Sequence, residues 1–137
     1  MPGVTETFTV ATREAEQPCD ITESVRDVVK RAEVSRGVCH VTVLHTTCAI
    51  VINETADPNI GRDVIRAVGD LVPKHNDWLH DQRDDNAHSH VKASLLGSAK
   101  AIPIVDGELL LGTWQAIWML EFDGPRDRTV AVHVVEG

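Results

Sequence analysis

The spacing of apolar positions changes several times along the chain, and each change marks an element. In TFTVAT (7–12), Phe8 and Val10 alternate with threonines, the period-two pattern of a strand. Over CDITESVRDVVKRAEVSRG the period lengthens. Ile21, Val25, Val28, Val29 and Ala32 fall at helical spacing, Asp20 and Glu23 suit a capping box, and Gly37 suits the helix end. VCHVTVLHTTCAIVIN (38–53) is β-branched and almost continuously apolar, as buried strands are, with a break near Thr46–Thr47. Asp57 suits a helix cap with Pro58 at the first position; Ile60, Val64, Ile65, Val68, Leu71 and Val72 then line one face, and Pro73 ends it. NAHSHVKASLLG (86–97) reads as a short helix capped by Asn86 and terminated by Gly97.

The remainder is β-rich. AIPIV-DG-ELLLG predicts a hairpin whose Asp106–Gly107 pair suits a tight type I′ turn. TWQAIWMLEF is apolar on both faces and is therefore placed centrally; GPRDR turns the chain into a last strand, TVAVHVV. Strands at both ends with two or three helices between them indicate an α+β fold, mostly antiparallel, with residues 1–137 forming a single domain.

Charge narrows the function classes. Thirteen Lys plus Arg against 21 Asp plus Glu give a formal charge of −8, a field that repels a phosphate backbone, so nucleic acid is not an expected partner. A small phosphorylated ligand needs local cations or a metal ion to overcome it. Cys19, Cys39 and Cys48 form no CxxC pair and are too few for a disulfide framework. The start lacks the pattern of a signal peptide, and no apolar run approaches the roughly 20 residues that cross a bilayer. A soluble, cytoplasmic protein without membrane association is the resulting expectation.

HNDWLHDQRDDNAHSH (75–90) holds four of the seven histidines. If its second half is helical, Asn86 and His90 share a face while His88 points away from His90. If it is extended, His88 and His90 share a face instead. His90 with a loop residue such as His80 then offers imidazoles to a borderline divalent ion, against the plainer reading of a charged surface loop. His45 ends an apolar strand and shares a face with Val41 and Val43; its plain reading is a core-edge histidine bonded to a backbone carbonyl. The hydroxyls and amides of Thr46 and Thr47 could meet an oxyanion. Glu54 and Asp57 lie at a strand-to-helix junction where both carboxylates could face one cavity, although capping is a sufficient role for Asp57. Trp114 could stack on a planar ring that Gln115 reads, whereas Trp118 is a core residue. Arg126 is either a phosphate clamp or a turn arginine paired with Asp123 or Asp127. His40 and His75 read as structural or solvated.

Taken together and in order, LHTTCAIVINETADPNIGRDV, DWLHDQRDDNAHSHVKASLLG and IPIVDGELLLGTWQAIWMLEFDGPRDR resemble the small bacterial and archaeal YjbQ family. The resemblance covers most of residues 38 to 128. The family's His-Thr-Thr falls on His45, Thr46 and Thr47, and its Asn-Glu and Asp-Pro on Asn53, Glu54, Asp57 and Pro58. Its loop histidine falls on His80, after Trp78 where tyrosine is usual. Its Asn-Ala-x-Ala-His falls on Asn86 and His90, with Ser89 replacing the alanine and His88 at the variable position. The resemblance implies an α+β homotrimer with a metal or anion at the histidine cluster and a secondary, low-level thiamine-phosphate synthase activity. That reaction joins a pyrimidine methyl diphosphate to a thiazole phosphate and releases pyrophosphate.

On this reading His45, His80 and His90 hold a divalent metal, zinc or alternatively magnesium. Glu54, His45, Asp57 and Asn86 are catalytic, and Thr46, Thr47, Trp114, Gln115 and Arg126 hold a phosphorylated heterocyclic substrate. Two rival expectations use the same residues: a metal-dependent hydrolase of a small phosphorylated or amide substrate, and a non-catalytic trimeric ligand- or metal-binding module.

Overall fold

The computed structural model describes residues 3–55 and 57–137. Eight strands and three helices follow the order β1 (Val4–Ala11), β2 (Gln17–Asp20), α1 (Thr22–Ala32), β3 (Gly37–Val43), β4 (Cys48–Glu54), α2 (Asn59–Leu71), α3 (Ala87–Leu96), β5 (Ala99–Val105), β6 (Glu108–Leu109), β7 (Gln115–Glu121) and β8 (Asp127–Glu136). A single 3₁₀ turn, Leu79–Gln82, interrupts the histidine-rich loop before α3. This is the α+β architecture expected from the pattern, and every strand pairing is antiparallel.

The strands form two sheets, ordered β1-β8-β3-β5-β6 and β2-β7-β4. The inner face of the larger sheet (Cys39, Val41, Val43, Ile102, Ile104, Val130, Val132, Val134) meets Ile50, Ile117 and Met119 of the smaller sheet, with Val25, Val28 and Val29 of α1 closing the core. The other face of the smaller sheet presents Ala49, Ala116, Trp118, Leu120 and Phe122 to Val64 and Ile65 of α2 and Leu96 of α3. Having both faces covered explains why β7 reads apolar throughout. Burying such side chains contributes roughly 1.5–3 kcal/mol each.

Several boundaries differ from the expectation. Residues 17–20 form a strand because they pair with the central β7, and tertiary pairing overrides the helical pattern there. Helix α1 therefore starts at Thr22. The Asp20 carboxylate accepts hydrogen bonds from the Thr22 amide (3.0 Å) and hydroxyl (2.6 Å), in place of a reciprocal box with Glu23. Its end is set by Glu33 in the left-handed region (φ 53°) rather than by Gly37, which begins β3. Helix α2 starts at Asn59, one residue after Pro58, and the Asp57 carboxylate accepts the Asn59 amide at 2.9 Å. The Asp106–Gly107 turn has the expected positive φ at both residues, 52° and 78°. No helix among the described residues is long and apolar enough to cross a membrane.

Candidate functional site

The loop after β3 and the turn between β7 and β8 lie side by side because β3 pairs with β8. The start of α3 is drawn to them: Ser89 donates to the Phe122 carbonyl at 2.6 Å, and Asn86 Nδ2 donates to Asp123 Oδ2 at 2.9 Å. Three segments distant in sequence thus meet at one open cleft of about 410 Å³, whose lining includes His45, Thr46, Asn86, His90, Arg126 and Arg128. An adjoining cleft of about 390 Å³ shares His45, Thr46 and His90 and continues past Cys48 to Gly97 and Ser98.

The floor is a buried ion pair. Glu121 has no exposed surface and Arg128 only 3%. The Arg128 guanidinium donates to both Glu121 carboxylate oxygens, and its Nη2 also donates to Thr47 Oγ1 at 2.7 Å. Glu121 further accepts the Thr12 hydroxyl (2.8 Å), the Asp123 amide (3.0 Å) and the Cys48 thiol (3.5 Å). Burial alone pushes the Glu121 carboxyl pKa up, but the hydrogen bonds from Arg128, the Asp123 amide and Thr12, with the Arg128 charge, hold it below its ordinary value. Burial and then the Glu121 charge push the Cys48 thiol up to about 12, so Cys48 lines the cleft as an inert thiol.

The His45 Nε2 accepts the Thr129 amide at 2.8 Å, which leaves Nδ1 as the ring's donor. Burial and then the Arg128 charge lower its pKa, outweighing the opposing Glu121 charge. The histidine is thus bonded to backbone as its plainer reading held, with the amide in place of a carbonyl. The rings of His80 and His90 meet edge to face at 4.8 Å between centroids. His80 Nε2 is buried and stands 3.5 Å from Asp84 Oδ2 without a hydrogen-bond partner among the described residues. Asn86 Oδ1 is likewise buried and unpartnered, and the amide of Ala87 is capped instead by Asp81 Oδ1 at 2.9 Å. Arg126 is an exposed turn arginine. Its Nε donates to the Asp123 carbonyl at 2.8 Å, and its Nη2 pairs with the Asp123 carboxylate at 3.2 Å.

The structure thus gathers His45, Thr46, Thr47, Asn86, His90 and Arg126 at the cleft, with His80 against His90. It does not bring Glu54, Asp57, Trp114 and Gln115 there. Cys48 pairs with Glu121 at one end of the β4–β7 ladder and Glu54 with Gln115 at the other. At about 3.3 Å per residue the ends are roughly 20 Å apart. Gln115 Oε1 accepts the Gly112 amide at 2.7 Å and lines a different cleft with Asp20, Thr22 and Arg26. Trp114 is 64% exposed. The expected three-imidazole metal centre is not assembled either: His45 Nε2 is occupied by a backbone amide, and no group of three or more His, Cys, Asp or Glu among the described residues is arranged to hold an ion.

His88 points away from His90 as the helical spacing requires. It lies buried beneath α3 with Nδ1 2.9 Å from Lys92 Nζ, which in turn pairs with Glu16 at 2.9 Å. Sequence reasoning missed this lysine and the Glu121–Arg128 pair. The signal for the pair was present: both charges occupy inward positions of strands that are otherwise apolar.

The family model for "UPF0047 protein YjbQ-like" matches residues 6–137. A UPF0047 protein of Methanocaldococcus jannaschii is 38% identical over 93% of this chain and 91% of its own length. YugU of Bacillus subtilis is 32% identical over 95% of this chain and 98% of its own. Among solved structures, a YbjQ-like protein of unknown function from Sulfolobus solfataricus superposes with a TM-score of 0.96 at 32% identity, covering 99% of both chains. A yjbq/upf0047 family protein from Clostridium acetobutylicum gives 0.91 at 43% identity, covering 95% of this chain and 99% of its own. These comparisons correct the functional expectation. The relatives are described as UPF0047 proteins, the Sulfolobus protein as one of unknown function, and nothing in them supports thiamine-phosphate synthase activity. The metal-dependent hydrolase and the metal-binding module lose their footing with the unassembled three-imidazole centre.

Proposed function

The chain belongs to the YjbQ-like UPF0047 family, and from that premise we propose that its His45–Arg126 cleft binds a small phosphorylated molecule and carries out acid–base chemistry on it. The observation that carries this reading is the convergence of two imidazoles, a threonine hydroxyl and an exposed guanidinium from three separate segments. In a chain of net charge −8, this local set of donors is what an anion requires. Arg126 is half committed to Asp123 and keeps Nη1 for a phosphate oxygen, beside the Thr46 hydroxyl and the His45 Nδ1–H. Asp84, within reach of His80, accepts a hydroxyl or amine on the rest of the ligand. His90, which lines both clefts, is the proton carrier of the proposal. Self-association, expected from the resemblance, belongs to the same proposal. The exposed Leu44 on the cleft wall favours it.

Calorimetric titration of the full chain with phosphorylated sugars and heterocycles, each beside its unphosphorylated counterpart, tests the reading. The phosphorylated member binds more tightly, Arg126→Ala weakens it about tenfold to a hundredfold, and His90→Gln keeps binding while losing turnover. Equal binding of both members of every pair, or an unchanged Arg126→Ala, overturns it.

A further inference from the structure

Between α1 and the β5–β6 hairpin lies a cavity of about 250 Å³, lined by Arg26, Val29, Lys30, Gly107, Glu108 and Leu109. It shares no residue with the His45 cleft. Backbone pairing holds the hairpin wall. Val105 pairs with Glu108 and Ile104 with Leu109, and the Leu110 amide donates to the Pro103 carbonyl at 2.8 Å. The Gly107 amide donates to the Ser35 carbonyl at 3.0 Å, which pins the turn against the segment leaving α1. On the other wall, Arg26, Val29 and Lys30 are three and four residues apart in α1 and share one side of the helix. Val29 belongs to the main core and Leu109 packs against it, so these two give the cavity an apolar lining.

Opposite charges line this cavity without pairing. Arg26 and Lys30 stand on the helix wall and Glu108 on the hairpin wall, yet among the described residues neither Lys30 nor Glu108 makes an ion pair. Arg26 gives only Nη1 to Glu23, at 2.6 Å, in a solvent-exposed pair of little strength. A simple anion entering the space meets the Glu108 carboxylate, and a simple cation meets two positive side chains. A molecule carrying both charges satisfies all three. At about 30 Å³ for each water-sized group the cavity holds about eight such groups, the size of a small aliphatic amino acid. We propose that it binds a free amino acid of that kind, with the carboxylate on Arg26 and Lys30, the ammonium on Glu108 and the side chain against Val29 and Leu109. This site is independent of the phosphate reading, because no side chain is common to the two.

Amide chemical-shift titration of the full chain with L-valine and L-leucine tests this. Amides of Lys30, Gly107, Glu108 and Leu109 are expected to move on one saturation curve, with Kd in the low millimolar range. Isocaproate, which lacks the ammonium of leucine, and isoamylamine, which lacks the carboxylate, bind at least about tenfold more weakly. Glu108→Gln weakens leucine about tenfold and does not weaken isocaproate, whereas Arg26→Gln with Lys30→Gln weakens both. All three positions are exposed, so the circular dichroism of these variants stays that of the wild type. No saturable shift with either amino acid overturns the site. Equal binding of leucine and isocaproate overturns the recognition of both charges, as does a Glu108→Gln variant that weakens the two alike. Shifts centred on His45 and His90 overturn the location.

Discussion

At the scale of single residues, the most consequential side chain is a carboxylate removed from water. Glu121 keeps its charge because Arg128, Thr12 and the Asp123 amide surround it, and that arrangement fixes Thr47 and the Asp123–Arg126 turn at the cleft. Glu121→Gln leaves a buried guanidinium without its counter-ion and costs about 3–5 kcal/mol, read as a lower midpoint in urea. The pH dependence has a definite sign. A carboxyl whose folded pKa lies below its unfolded value stabilises fully above the unfolded value, and the contribution fades as pH falls through the folded one. The stability gap between wild type and Glu121→Gln is therefore wide at pH 7 and narrows steadily below about pH 4. A gap that stays constant on acidification contradicts the ion-pair account.

At the scale of elements, two glycines of α2 make opposite predictions. At Gly69 an added Cβ meets nothing within 4 Å, so Gly69→Ala stabilises by about 0.5–1 kcal/mol through helix propensity. At Gly61 the Cβ would stand 2.8 Å from Pro18 Cβ, so Gly61→Ala pushes α2 off β2 and destabilises by about 1–3 kcal/mol. Thermal melts of both variants check the pair. Elements of this kind were largely legible in the sequence. The period changes located most strands and all three helices, and the DG turn was fixed by its two positive-φ positions. What local pattern could not supply was pairing. QPCD (17–20) is a strand only because β7 lies beside it, and the inward Glu121 and Arg128 are explicable only once β7 and β8 converge.

At the scale of the whole molecule, the two ends of the β4–β7 ladder separate what the sequence had joined. His45, Thr46, Thr47, Asn86, His90 and Arg126 come together, as the motif order suggested, while Glu54, Trp114 and Gln115 lie at the far end. The length of β4 alone carried this information, since a seven-residue strand cannot place both its termini at one cleft. The expected three-imidazole arrangement is not formed for a subtler reason, the capture of His45 Nε2 by a backbone amide, which no spacing rule encodes. The proposed chemistry depends on a phosphate binding where His45 and Arg126 meet. Its most direct test is a backbone amide chemical-shift titration of the full chain with inorganic phosphate. Amides of Thr46, Thr47, His90 and Arg126 should move together with one saturation curve, while those of Thr55 and Gln115 stay fixed. Shifts concentrated at the Gln115 end, or spread evenly over the surface, contradict the claim.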